Sequence, residues 1–158
     1  MSNVWNQSII LPPIGFDVKL LKIILMKTLK SGIELYDSIP TTLRLRYSNR
    51  SQLQKGSTYT VLGVGKIPLR NGGSYDAVVM ENNGIETYVS IPTFLGIVFR
   101  KEDNAWTRNL INNGGINTVD KLETLIDKKI KVSDFITEEI TNFSGNNVER
   151  EFPVWEIL

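Results

Sequence analysis

Arginine, lysine and aromatic residues are the side chains of this sequence whose types and spacing could do chemistry on a ligand. Cationic groups bind phosphates, and aromatic rings stack on unpaired bases. The cationic candidates are Arg44, Arg46, Arg50, Lys66 and Arg70. The aromatic candidates are Tyr47, Tyr59, Tyr75, Tyr88 and Trp106. Together they predict a site that binds single-stranded nucleic acid, DNA or RNA, with little sequence preference.

Each of these residues also has a purely structural interpretation. Aromatic side chains mainly supply buried area, and Tyr47 and Tyr59 are in phase with apolar neighbours. Trp106, among polar neighbours, fits either a stacking platform or a packing anchor. Arginines on an edge strand also deter edge-to-edge pairing of sheets.

Catalytic and metal chemistry find little support in the 158 residues, which include no histidine and no cysteine. The lack of histidine excludes imidazole bases and the common zinc sites, and the lack of cysteine excludes disulfides and thiolate ligands. Neighbouring carboxylates such as Glu102 and Asp103 diverge rather than converge on a helix or strand. We therefore predict a protein that is not an enzyme and needs no metal or cofactor.

Charge is distributed unevenly along the chain, although the net charge is only +1. Residues 1–72 hold ten basic residues against three acids, a net of +7, and residues 73–158 hold eight against fourteen, a net of −6. This asymmetry suggests a surface in the first half that faces a polyanion, unless folding pairs the two halves.

Neither a leader nor a membrane span is indicated by the sequence. The longest apolar run, Ile23 to Met26, has four residues, and the first residues lack the features of a signal peptide. The absence of cysteine fits a reducing compartment. We expect a cytoplasmic protein, in the host cytoplasm if the chain is viral, with no membrane partner.

The stretch Ser74 to Ile91, SYDAVVMENNGIETYVSI, predicts a β-hairpin. Asn83 and Gly84 tolerate the positive φ that a two-residue turn requires. With this turn the pairs across the ladder are Val78 with Val89, Met80 with Thr87 and Glu81 with Glu86. Like charges across a ladder are unfavourable, so a longer loop is an alternative. We expect Tyr75 and Tyr88 on the outer face.

Before this hairpin the chain reads as extended segments and one ambiguous element. Residues 17–30 fit either a helix, which we favour, or a strand through 18–28 followed by a turn at 30–32 and a second strand at 33–36. Residues 41–48 alternate as a strand with Arg44 and Arg46 on its exposed face. Residues 56–69 predict a long strand in which Gly63 and Gly65 mark a bulge or bend.

After the hairpin the pattern changes to short helices and then returns to strands. We predict helical segments at 93–100, 104–112 and 118–127, a strand at 129–135 that could extend to 140, a turn at 144–147 and a last strand at 148–158. Pro153 lacks an N–H group and predicts an edge position for the last strand.

From residue 56 the order is a long bent strand, two strands, a helical segment and two strands, which is the connectivity of the OB-fold barrel. Residues 56–158 resemble the small OB-fold single-stranded-DNA-binding proteins encoded by bacteriophages. The matching stretches are YTVLGVGKI, SYDAVVMENNGIETYVSIP and REFPVWEIL. The resemblance implies one mainly β domain with short helices, a five-stranded barrel carrying residues 1–55 as an extension, and a role in DNA replication or recombination.

The alternative function is that of an assembly protein, such as a virion or replisome accessory subunit built on the same barrel. In that case an apolar terminus, residues 1–15 or 152–158, would dock on a protein partner or on a second copy of the chain. In that case the outer face of the hairpin would have no role in binding nucleic acid.

Overall fold

The computed structural model describes residues 26–47 and 52–158 of the chain. This described part is mainly β, with antiparallel strands and two short helices, which confirms the prediction of a mainly β fold with short helices. The strands are β1 (Met26–Thr28), β2 (Glu34–Tyr36), β3 (Thr58–Pro68), β4 (Ser74–Asn82), β5 (Ile85–Ser90), β6 (Ile97–Glu102), β7 (Ala105–Leu110), β8 (Lys129–Thr141) and β9 (Asn147–Ile157). The helices are α1 (Ile91–Leu95) and α2 (Val119–Thr124).

The long strand β3 is the centre of the main sheet. One edge of β3 pairs with β4, which in turn pairs with β5. The other edge is shared, because its first residues pair with β8 and its last residues pair with β2. β8 pairs with β9, β2 pairs with β1, and β6 and β7 form a separate two-stranded sheet.

A bulge in β3 accompanies this division of its edge, as the two glycines predicted. The register against β4 shifts between Val61 and Gly63, and Gly63 has a φ of 150°. Gly65 lies where a Cβ would come within 2.9 Å of Ile33 and 3.0 Å of Val79. Glycine therefore allows β2 to approach β3 closely.

The β4–β5 hairpin has the predicted two-residue turn at Asn83 and Gly84. Both residues have positive φ, 51° and 79°, and the pairs Val78 with Val89 and Met80 with Thr87 are confirmed. The ladder also places Glu81 opposite Glu86, and the Glu86 carboxylate accepts a hydrogen bond from the Ser31 hydroxyl. The longer-loop alternative is therefore wrong.

The predicted outer face of this hairpin is partly covered in the folded chain, since Tyr88 is 42% exposed on it but its neighbours on β4 are buried. Tyr75 and Val79 are 7% and 0% exposed, and Tyr75 packs beside Ile33 and other apolar side chains. The placement of Tyr75 on an exposed face was therefore wrong. The side chains that cover this face come from the segment with β1 and β2. In this segment the helix that we favoured is wrong over residues 26–30, because Met26–Thr28 pairs as a strand with Glu34–Tyr36. Residues 17–25 lie outside the described residues.

Two of the predicted helical segments are replaced by a short helix and a hairpin. The helix α1 ends at Gly96, whose φ of 71° is left-handed, so residues 97–102 continue as a strand instead. The segment predicted as a helix at 104–112 is mostly the strand β7. Its alternating side chains follow a tight turn in which Asp103 and Asn104 have φ values of 50° and 66°.

Two further predictions are confirmed. The Thr118 side chain accepts a hydrogen bond from the Lys121 amide and begins α2, and β9 is an edge strand of the described sheet, as Pro153 predicted.

The strand predicted at 41–48 is wrong over its described part. Residues 41–47 are exposed or half-buried and belong to no strand.

The main core lies between β3, β4, β5, both helices and the β8–β9 pair. Phe94 and Trp155 pack there with ring centroids 4.8 Å apart, and the Trp155 indole N–H donates to the Phe94 carbonyl at 3.0 Å. Within the described residues β5 and β9 form no pair with each other, and no closed barrel is found. On that side α1 packs against both β5 and β9.

Candidate nucleic-acid interface

The β6–β7 hairpin carries a polar, exposed surface beside the main core. Its register places Lys101 directly opposite Trp106, and Phe99 opposite Arg108. Side chains opposite each other on an antiparallel ladder share a face, as do residues two apart on one strand. Lys101, Trp106 and Arg108 therefore lie together on one face, which we call the hairpin face.

The Trp106 ring is 57% exposed, and Lys101 and Arg108 are also exposed. The acids of this hairpin are placed elsewhere, because Glu102 points to the opposite face and Asp103 lies in the turn. The hairpin face thus combines an accessible aromatic ring with two positive charges. That combination can stack on a planar base and neutralise a neighbouring phosphate.

Tyr47 fixes this hairpin to the rest of the chain. Its hydroxyl donates to the Ile97 carbonyl and accepts from the Phe99 amide at 3.1 Å, so it bridges two residues of β6. The ring packs edge-on against Phe99 and Phe152 at centroid distances of 6.0 and 6.2 Å. Burial raises the pKa of Tyr47 to about 12, which outweighs the lowering effects of the Phe99 amide and the Arg150 guanidinium.

A buried carboxylate positions the segment that delivers Tyr47. Asp76 is 4% exposed and accepts hydrogen bonds from the Tyr36 hydroxyl at 2.9 Å and the Arg44 amide at 2.7 Å. The Asp76 amide donates to the Arg44 carbonyl at 3.3 Å. Burial and the hydrogen bond to Asp76 raise the pKa of Tyr36 well above its ordinary value. Residues 44 to 47 are thereby held between β4 and β6.

Several predicted site residues lie away from the hairpin face. Lys66 is in register with Glu34 and Asp76, so its nearest strand neighbours are acidic. Arg44 is exposed near the same end of β4, and Arg70 is exposed in the turn between β3 and β4. None of these three cations lies on the β6–β7 hairpin.

The predicted aromatic residues divide by burial. Tyr59 is 5% exposed and its hydroxyl accepts from the Gln54 amide, so Tyr59, like Tyr75, belongs to the core. Tyr88 is 42% exposed on β5, away from the hairpin face. Tyr47 is half-buried, and Trp106 is accessible. Arg46 is exposed and its guanidinium carbon lies 5.5 Å from the Phe143 ring centroid. Arg50 lies outside the described residues.

Lys101 and Arg108 were missed from the sequence, although the signal was present. The residues AWTRN alternate after a short Asp-Asn turn, and this alternation places Trp106 and Arg108 on one face. Assigning the segment to a helix hid that relation, because residues two apart on a helix diverge. A reading as a strand would have found the pair.

Neither a metal-binding cluster nor a membrane-spanning helix is found within residues 26–47 and 52–158. No group of three or more carboxylates there has the geometry to hold a metal ion. No helix in this part of the chain is long and apolar enough to cross a bilayer. No family model, curated protein or solved structure matches the chain.

Proposed function

We propose that this protein binds single-stranded nucleic acid without strong sequence preference and without catalysis, through the hairpin face. The observation that carries the proposal is the exposed ring of Trp106 beside Lys101 and Arg108. An indole ring stacks on any base, since every base has a π-face, and the two cations attract the phosphate backbone. A duplex hides its base faces and offers only its phosphates.

The placement of Trp106 on a strand supports this function. The ladder with β6 holds the backbone of Trp106, and Tyr47 ties β6 to residues 43–47. A ring on a rigid element loses less conformational entropy on binding than a ring on a mobile loop. Stacking of one base on the ring is worth roughly 1–3 kcal/mol.

The strand order supports an OB-fold-like arrangement as part of the proposal. The row β5–β4–β3–β8–β9 has the first long strand, β3, paired with the second and the fourth, as in an OB barrel left open between its third and fifth strands. OB modules commonly bind oligonucleotides on the face of their second and third strands. Here the segment with β1 and β2 covers part of that face, so we place the ligand on the β6–β7 hairpin instead.

The test is a fluorescence anisotropy titration with labelled oligo-dT at low and at physiological salt, with a matched duplex as competitor. We expect salt-sensitive binding that prefers the single strand. Trp106→Ala should weaken it about 5- to 150-fold, the equivalent of one stacked base, while Trp106→Phe should retain most of the affinity. Ile85→Ala, at another exposed apolar residue near a hairpin turn, is the control and should bind as the wild type does.

A folded wild-type protein that binds neither oligo-dT nor oligo-U would overturn this proposal and favour the assembly function. Equal affinity of Trp106→Ala and the wild type would show that nucleic acid binds elsewhere. Arg44, Lys66 and Arg70 would then be the next residues to mutate.

A further inference from the structure

The turn between β8 and β9 presents an exposed aromatic ring on a rigid frame. Phe143 is 87% exposed. The turn around it is held by Asn142, whose side-chain oxygen accepts from the amides of Ser144 and Asn146, both at 3.0 Å. The Asn142 amide also donates to the Asn146 carbonyl at 2.9 Å. A phenylalanine this exposed contributes little to the core, so packing does not account for its presence here.

A cation accompanies this ring. The guanidinium carbon of Arg46 lies 5.5 Å from the Phe143 ring centroid, within the range of a cation–π contact. The backbone at Arg46 is held between two anchored residues, Arg44 through Asp76 and Tyr47 through Ile97 and Phe99. Since Phe143 stays largely exposed, the contact leaves most of the ring available to a ligand.

We infer that Phe143 and Arg46 form a second base-stacking position, in which an unpaired nucleobase stacks on the ring and Arg46 contacts its phosphate. This inference rests on the proposed function, and it extends the site from one base to a longer stretch of strand. The ligand class follows from the chemistry, since a planar π-system joined to an anion satisfies both side chains.

The β8–β9 turn and the hairpin face are close enough for one strand to reach both. The Lys101 amide donates to the Thr141 hydroxyl at 2.9 Å, and the Arg100 guanidinium donates to the Glu139 carbonyl at 2.7 Å. Lys101 is directly opposite Trp106, and Thr141 is two residues before Phe143. The path between the two rings therefore passes over Lys101.

The experiment compares Phe143→Ala, Phe143→Leu and Phe143→Trp for binding to a long and a very short oligo-dT. On the long strand we expect Ala and Leu to weaken binding about 5- to 150-fold, because both lack the ring, and Trp to bind at least as well as the wild type. On an oligonucleotide short enough to occupy only Trp106, all three should bind alike. Binding of the long strand should quench the tryptophan fluorescence of Phe143→Trp more than that of the wild type.

Arg46→Ala is the companion variant, and Ile85→Ala is the control for an exposed apolar residue. Loss of Arg46 should lower the dependence of log affinity on log salt by about one phosphate contact.

Unchanged binding of the long strand by Phe143→Ala, with the wild type binding normally, overturns the inference alone. Wild-type protein that binds no single strand overturns both proposals. Binding to anionic vesicles that is lost in Phe143→Ala, with unchanged oligonucleotide binding, would assign the ring to a lipid surface instead.

Discussion

The two tryptophans Trp106 and Trp155 contrast in their surroundings. The ring of Trp155 is 2% exposed and its N–H group is satisfied by the Phe94 carbonyl, so it stabilises the core. Trp106 is 57% exposed at a hairpin position with cations beside it. An indole ring that is held in water by a regular ladder is available to a ligand. This difference is the reason for assigning binding to Trp106.

Tyrosine ionisation provides a pH test of the anchor at Tyr47. Because burial raises the Tyr47 pKa from 10.0 to about 12, the folded state keeps the proton where the unfolded state has lost it. The corresponding stability is fully present below about pH 10 and is lost as the pH rises from about 10 towards about 12. We expect the free energy of unfolding of the wild type to fall in that window, and less steeply in Tyr47→Phe.

Urea denaturation at a series of pH values measures this effect. At neutral pH Tyr47→Phe should lose about 1–3 kcal/mol, because the Phe99 amide and the Ile97 carbonyl lose their partner. Part of the alkaline decline should persist through Tyr36, whose pKa is also raised. Tyr88→Phe, at an exposed tyrosine, is the matched control. Parallel pH profiles for the wild type and Tyr47→Phe would contradict the assignment.

At the scale of elements, the loop from residue 111 to 118 connects β7 to α2 and forms hydrogen bonds with both α1 and β9. Asn113 is fully buried, and its side-chain amide donates to the backbone carbonyls of Phe94 and Ile116. The backbone carbonyl of Asn113 accepts a hydrogen bond from the Trp155 amide at 2.8 Å. The Asn117 side chain donates to the carbonyls of Leu95 and Ile111. Two asparagines thus supply hydrogen bonds on the side where β5 and β9 do not pair with each other.

Two adjacent glycines in this loop allow a matched prediction. Gly114 has a φ of 92°, and a Cβ on it would lie 2.0 Å from the Trp155 carbonyl oxygen. Gly115 has a φ of 91°, but nothing lies within 4 Å of its Cβ position. Gly115→Ala should cost about 1–2 kcal/mol for the left-handed backbone. Gly114→Ala should cost about 3–5 kcal/mol, since the backbone clash adds to the same strain.

Thermal and urea unfolding of the two variants measure the difference. The comparison removes the effect of φ, which is nearly equal at the two positions. Equal losses of stability would contradict the close approach of Gly114 to the Trp155 carbonyl in β9.

At the scale of the molecule, the segment with β1 and β2 is part of the fold. Leu35 is 6% exposed and pairs with Gly65, next to the bulge of β3. The segment covers one face of β4, where Ile33 packs beside Tyr75 and Ala77, so β4 has apolar side chains on both faces. A strand with a single buried face would alternate between apolar and polar residues.

Substitution of Leu35 tests this role. Leu35→Ala should lower the free energy of unfolding by about 2–5 kcal/mol, because it removes buried methyl groups and leaves a cavity. Leu45→Ala, at a leucine that is 37% exposed, should cost less than about 1 kcal/mol. Urea denaturation of both variants checks the prediction. A Leu35→Ala protein as stable as the wild type would show that β2 is not part of the folding unit.

Features set by local physics could be read from the sequence. The turn at Asn83 and Gly84, the bulge at Gly63 and the cap at Thr118 each depend on a few neighbouring residues whose φ preferences or hydrogen-bonding groups leave few options. Trp106 was also named as a candidate from its polar neighbours, and it is 57% exposed in the structure. These predictions needed no knowledge of distant parts of the chain.

Exposure was decided by the tertiary structure. Tyr75 lies on a strand face that the sequence pattern left free, and Ile33 packs against it from another part of the chain. The pairing of Lys101 with Trp106 likewise required β6 and β7 to fold against each other. Alternation along a strand tells which side chains share a face, but the segment that covers that face is determined by long-range packing. The sequence by itself therefore determined the turns and the candidate residue types, and the tertiary packing decided which rings and charges remain accessible.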